Sequence, residues 1–398
     1  MVDSGRRELP RPPRRVPPGQ PSQLTSIEAP RPRPAAATPA EPPLPPKFRL
    51  RFVLPLVVFV LVLGAGAGWL VRQNSLTLDT AEVLETAGPS VVKVLATTCE
   101  GTGVASGVLL ADGLVLTASS SIKQPMSVAL VTNTGEVRPA NVLGSSTDGV
   151  AVLRMVGQLP GKAQLAPKDP PAAAERAVVA YIANGLQTIQ LLGPSEAPTP
   201  LTNVLNATKL GAPALDSKGR VVGLITGDTV PAAKIVPLGK LRQYAGTGQP
   251  GITPEPGGKC PRSRGPQLPI VPELAVANTP VAGEAQKLLG NYLTATNKHD
   301  FAAVQQYYSK ALARYLTEKR DRDNHQTSYL FGARIIEVTQ PGAEVNARMT
   351  YTALFSPNSP GAQGQTCHRL DKRYRLVREN GRLVIDSAPA VQPLRACD

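Results

Sequence analysis

Gly211-Ala212-Pro213-Ala214-Leu215-Asp216-Ser217-Lys218-Gly219-Arg220-Val221-Val222-Gly223-Leu224 is the stretch from which the fold of this chain is read. It sets turn residues against the β-branched apolar run Val221–Thr226. The same alternation of short apolar runs with Gly, Asp and Asn turns extends from Thr80 to about Ala245, the pattern of an all-β barrel or sandwich. A first set of strands is expected at Ser90–Ala96, Ala105–Leu110, Gly113–Thr117, Ser127–Thr132, Arg138–Leu143 and Val150–Val156. A second is expected at Ala177–Ala183, Gln187–Leu192, Thr202–Asn206, Val221–Thr226 and Ala233–Pro237. Two successive sets of short strands predict a double β-barrel.

Three further segments share an order with the quoted one. They are Gly103-Val104-Ala105-Ser106-Gly107-Val108-Leu109-Leu110, Gly113-Leu114-Val115-Leu116-Thr117-Ala118-Ser119-Ser120-Ser121-Ile122 and Thr147-Asp148-Gly149-Val150-Ala151-Val152-Leu153-Arg154. Together they resemble the trypsin-like, HtrA-type serine proteases over residues 78–246. In that family a Gly-Asn/Asp-Ser-Gly-Gly-Pro-Leu run carries the nucleophile, and Gly-x-Val-Leu-Thr-Ala-Ala-His carries the base. The resemblance puts Leu210 at the nucleophile position, with Lys209 beside it, and Ser120 at the base position. Gly149 falls at the acid position, unless a one-residue shift gives that place to Asp148.

This resemblance implies a scaffold without its chemistry. A serine nucleophile needs an imidazole to take its proton and an acid to orient that imidazole, with backbone donors for the oxyanion. Leucine has no nucleophilic atom, and all three histidines, His299, His325 and His368, lie far downstream. Gly211 is kept, and with it part of the turn that would hold an oxyanion. Ser119, Ser120, Ser121 and Lys123 offer the residue types of a Ser–Lys pair, yet they read more simply as a solvated loop. Lys209 reads as an exposed lysine. The resemblance still implies a groove in which an extended peptide adds as a strand through backbone hydrogen bonds.

The formal charge of +14 is not concentrated in one field, and residues 1–51 carry ten Lys/Arg against four acids. Arg-Pro repeats and Pro-Ala runs in this Pro/Arg-rich stretch predict an extended, disordered, low-complexity tail, read as cytoplasmic. Phe52–Val71 is free of charge. Twenty such residues at about 1.5 Å each suffice for a hydrocarbon layer of ~30 Å, so one transmembrane helix is expected over 52–72. Lys47, Arg49 and Arg51 before it, against Asp79, Glu82 and Glu85 after it, predict a cytoplasmic N-terminus and extracytoplasmic later domains. The four cysteines, Cys99, Cys260, Cys367 and Cys397, all follow that segment and are not spaced as zinc ligands. Of their three connectivities, Cys367–Cys397 with Cys99–Cys260 is preferred.

Residues 247–280 form a Pro/Gly-rich linker, and composition changes again in 281–398. Ala285–Thr296 and Phe301–Tyr308 carry helical spacing, with Asp300 as an N-cap between them. Strands are expected at Tyr329–Thr339, Glu344–Phe355, His368–Glu379 and Arg382–Ser387, the last two joined by an Asn380-Gly381 hairpin turn. Helices followed by an antiparallel sheet resemble the ketosteroid-isomerase-like, or nuclear-transport-factor-like, cone fold, a curved α+β sheet. Tyr308, Tyr351 and Asp386 are the residue types that would face its cavity, while His325 is expected on a solvated helix end.

The sequence reading is therefore a single-pass plasma-membrane protein with an inactive protease-like domain, serving as a peptide- or protein-binding or regulatory module of a bacterial cell envelope. An active envelope protease with a misplaced triad and a structural envelope anchor are the alternatives. No cofactor, metal or nucleic acid is expected. The membrane and an extracytoplasmic peptide or protein are the expected partners, and a homo-oligomer is allowed.

Overall fold

Alternating side chains on the first six strands sort into two apolar clusters, and this sorting builds the barrel. The computed structural model describes residues 78–397 except 102, 172–173, 183–184 and 192–208. Strands β1 (Val91–Thr98), β2 (Val104–Leu109), β3 (Leu114–Ala118), β4 (Pro125–Val131), β5 (Val137–Ser145) and β6 (Val150–Met155) close in the order β1-β2-β3-β6-β5-β4. Val92, Val94, Leu109, Val115, Leu130 and Leu153 belong to a cluster drawn from all six strands, so they fill the barrel interior. Their neighbours Val91, Val108, Leu114, Leu116, Val150 and Val152 point the other way, into a second cluster shared with the next sheet. Strands apolar on both faces are those buried on both. Each fully buried Val or Leu contributes roughly 1.5–3 kcal/mol of transfer free energy.

The second sheet contains β7 (Arg176–Ile182), β8 (Gly185–Leu191), β9 (Pro213–Leu215), β10 (Val221–Thr226) and β11 (Lys234–Pro237), in the order β11-β10-β9-β7-β8. The Asp216–Gly219 turn between β9 and β10 is tied by its own aspartate. One Asp216 oxygen accepts from the Lys218 and Arg220 backbone N–H groups, both at 2.9 Å, and the other from Arg220 Nε at 2.8 Å. Helix α1 (Thr80–Ala87), capped by Asp79, contributes Val83 and Ala87 to the shared cluster, and α2 (Leu238–Ala245) contributes Leu241 and Tyr244.

The expected double barrel is corrected here. Among the described residues β11 pairs only with β10 and β8 only with β7, so the second sheet is open and one barrel is closed. The strand expected at 202–206 lies outside the described residues. The expected transmembrane helix is corrected too: among the described residues no helix is long and apolar enough to cross a membrane. The longest described helix, α3 (Pro280–Asn297), carries Glu284 and Lys287 and buries only one face in a protein core. The segment 52–72 that suggested a span, and the tail before it, lie outside the described residues. Single-pass topology, a membrane partner, plasma-membrane localisation and a membrane-anchored envelope function have no support in the structure.

After α2 the chain straps the barrel. Ser145 and Thr253 exchange backbone hydrogen bonds at 2.9 Å, Gly258 N–H donates to Pro125, and Arg264 N–H donates to Thr98. Cys99 and Cys260 are joined by a disulfide on this path. The C-terminal module follows, with α3, α4 (Phe301–Val304), α5 (Lys310–Tyr315) and α6 (Glu318–His325), capped in turn by Thr279, Asp300, Ser309 and Thr317. Its sheet runs β12-β13-β14-β15-β16, from β12 (Glu273–Leu274), β13 (Tyr329–Thr339), β14 (Val345–Leu354), β15 (Cys367–Glu379) and β16 (Arg382–Ser387). A short β17 (Arg395–Ala396) pairs with β15 beside the buried Cys367–Cys397 disulfide.

Candidate functional site

The three positions that the resemblance marks as a degenerate triad lie along one stretch, the end of β10. The chain leaving β3 turns through Ser119–Ile122, where Ser119 N–H donates to the Gly149 carbonyl at 2.9 Å. Ser120 Oγ donates to the Gly227 carbonyl at 2.8 Å. Gly149 sits at φ +83°, and a Cβ there would stand 3.5 Å from the Cβ of Thr226. Gly211 N–H donates to the Ile225 carbonyl at 2.6 Å, and Leu210 accepts from Ser106 N–H at 2.9 Å. Residues 225–227 therefore touch the chain at all three places.

What converges is apolar and already bonded. Leu210 is 5% exposed and packs in a cluster with Ala118, Val178, Ala212, Ile225 and Leu238. Gly211 has φ +81°, and a Cβ there would fall 2.1 Å from the Ser106 carbonyl oxygen. Glycine is required by both conformation and space. Its N–H, expected to remain in an oxyanion turn, is committed to Ile225.

Asp148, the shifted candidate for the acid, is engaged elsewhere. Its carboxylate accepts from Tyr244 Oη and lies 3.8 Å from Lys240 Nζ, both on α2. The Tyr244 hydrogen bond, with Lys240 and Lys234 nearby, holds this carboxyl below the usual range. Lys123 pairs with Asp228 at 3.4 Å on the surface, while Ser120 is taken by Gly227, so no Ser–Lys pair forms between them. Lys209 is buried, contrary to the exposed position expected of it.

None of the histidines joins this locus. His299 Nδ1 accepts from Arg262 Nε at 3.2 Å and its other nitrogen meets the Ser328 carbonyl, while His368 stands edge-on to Phe355. His325 closes α6, but it is half-buried and burial pushes its pKa down to about 4, which corrects the solvated helix end expected for it.

In the C-terminal module the three residues expected by type separate. Tyr308 donates to Asp321 at 3.1 Å inside a cavity, and Tyr351 meets Tyr374 hydroxyl to hydroxyl at 3.3 Å in the core. Asp386 instead accepts from Ser309 Oγ at 2.7 Å and from Arg375, tying α5 to the sheet. Asp321 and Lys372, which also line the cavity, were not singled out from sequence. A signal existed for Lys372, since it alternates with Leu370, Tyr374 and Leu376 on the core-facing side of β15.

No protein-family model matches the chain, and no curated protein matches it. Among solved structures, the crystal structure of the serine endoprotease from Yersinia pestis is similar over 42% of this chain, at 18% identity and a TM-score of 0.36. The match spans 65% of that protease, under two thirds of its length. The likeness to a trypsin-like serine-protease fold is thus distant and partial.

Proposed function

We propose that residues 78–246 form a catalytically inactive serine-protease homologue whose role is to hold the C-terminal module rather than to hydrolyse peptides. Leu210 carries this reading: a buried leucine in an apolar cluster occupies the place where the resemblance expects a nucleophile. Removing a single member of such a triad costs several orders of magnitude in rate, and here nucleophile and base are both replaced. The HtrA-type kinship of the barrel and the cone-fold kinship of the C-terminal module are part of this proposal. The holding role is supported by a seam in which Leu95, Val104, Ala129 and Val137 of the barrel pack with Tyr329, Leu354 and the Cys367–Cys397 pair. Arg138 donates across it to the Cys397 carbonyl, and Arg369 to the Val137 carbonyl, each at 3.4 Å.

The test is treatment of the purified full chain with a fluorophosphonate probe and with generic peptide substrates. No labelling and no turnover are expected. Stoichiometric labelling that disappears in a Ser120→Ala variant, or in the corresponding variants of Ser119 or Ser121, would establish an active protease instead.

A further inference from the structure

The C-terminal module holds a cavity of about 210 Å³, lined from α3, α5, α6, β15 and β16. That is below the roughly 300–1,000 Å³ of pockets for drug-sized ligands, so only a small molecule fits. Leu312, Leu316, Ile385 and Ala388 supply apolar wall, and Asp321, His325 and Lys372 supply ionisable groups.

Lys372 is the anomaly. It lies on the core-facing side of β15, half-buried, and burial lowers its pKa. Its neighbours Asp371 and Arg373, and Arg375 beyond them, point to the opposite face and are paired, Asp371 with Arg348, Arg373 with Glu337 and Arg375 with Glu344 and Asp386. Among the described residues no carboxylate forms an ion pair with Lys372.

The cavity's own acid does not fill that role. Asp321 is 2% exposed, and its oxygens accept from Gln305 Nε2 at 2.7 Å and Tyr308 Oη at 3.1 Å. Burial pushes its pKa up to about 6. His325 is held neutral by burial, with repulsion from Lys372 adding to the effect, so imidazole and ammonium face one space. A cation withdrawn from water without a counter-charge is unfavourable. An anion that enters with an apolar body removes that cost.

We propose that this cavity binds a small organic monocarboxylate, its carboxylate on the Lys372 ammonium and its apolar body against Leu312, Leu316 and Ile385. The charge-assisted hydrogen bond from lysine supplies most of the recognition. Asp321 sets the limit of one carboxylate, because a second anionic group in so small a space meets its carboxyl. The proposal does not depend on whether the barrel is catalytically silent.

The experiment is calorimetric titration of the purified full chain with benzoate, phenylacetate and hexanoate, alongside neutral benzamide and inorganic phosphate. At least one monocarboxylate is expected to bind about tenfold more tightly than benzamide, with phosphate not binding. Lys372→Met should erase the preference for carboxylate over amide, and Lys372→Arg should retain part of it. Because the methionine variant removes a half-buried charge that has no ion-pair partner among the described residues, its melting temperature without ligand should equal or exceed the parent's. The proposal is overturned if none of the three acids binds at millimolar concentration. It is also overturned if benzoate and benzamide bind alike, if Lys372→Met leaves the preference intact, or if that variant melts below the parent, which would make Lys372 a structural residue.

Discussion

Leu210 is held by backbone and side chain alike. Its carbonyl is bonded to Ser106 N–H, the adjacent Gly211 N–H is bonded to Ile225, and its side chain fills an apolar cluster. Placing a hydroxyl at the position where the resemblance expects a nucleophile should therefore damage the protein without giving it protease chemistry. Leu210→Ser leaves a void and places a hydroxyl among Ala118, Val178 and Ile225, a loss of about 2–5 kcal/mol by the large-to-small rule. Urea unfolding should show that loss, and fluorophosphonate labelling should remain absent. Labelling by this variant alone would mean that a base reaches the site. A second residue-scale expectation concerns Gly211→Ala. Its φ of +81° and the Ser106 carbonyl oxygen 2.1 Å from an added Cβ leave no room for a methyl group. The variant should unfold at much lower urea concentration than the parent.

Helix α6 carries a pair of groups displaced in opposite directions, which gives an element-scale prediction. Asp321 is pushed up to about 6 by burial, so ionising it costs the folded state stability as pH rises from about 4 to 6. His325 is pushed down to about 4, so its protonation costs stability as pH falls from about 6.5 to 4. In the parent the two slopes oppose each other. Asp321→Asn should therefore lose up to about 3 kcal/mol relative to the parent on going from pH 6.5 to 4. A His325→Gln variant should gain relative to the parent over the same window. Parallel stability profiles for the three proteins would show that neither group is displaced. The helix also marks where sequence reading stopped. Glu318–His325 looks fully polar, and only packing shows that Asp321 and His325 turn toward a cavity. The six barrel strands were legible because each is a short run rich in apolar residues between turn residues, and β1, β2, β3 and β6 bury both faces, a local pattern. Closure of the second sheet was not legible, since it depends on whether β8 and β11 meet, and no period in the sequence encodes a non-local pairing. Leu210, Ser120 and Gly149 were legible as positions along the chain, but the committed Gly211 N–H and the buried Lys209 required coordinates.

Across the whole molecule, the seam between barrel and C-terminal module decides whether they unfold separately. Residues from β1, β2, β4 and β5 share one apolar cluster with Tyr329, Leu354, Cys367 and Cys397. The strap from Gly258 to Arg264 is bonded to the barrel at Pro125 and Thr98, and Ser263 N–H reaches the Gln326 carbonyl in the module. The Cys99–Cys260 disulfide fixes this strap to the end of β1, closing a separation of 161 residues, and Cys367–Cys397 closes one of 30. In the chain-entropy model such loops contribute about 5 and about 3–4 kcal/mol respectively, less any strain. Two modules sharing an apolar seam and a covalent strap should melt as one cooperative unit, with a calorimetric enthalpy equal to the van't Hoff value. Leu354→Ala empties the middle of that seam at about 2–5 kcal/mol, a loss borne where the modules meet. Combined with Cys99→Ser and Cys260→Ser, it should split the single transition into two, the C-terminal module retaining its own disulfide. Two transitions already present in the parent chain would show instead that the barrel and the module are energetically independent, and the holding role proposed for the barrel would lose its basis.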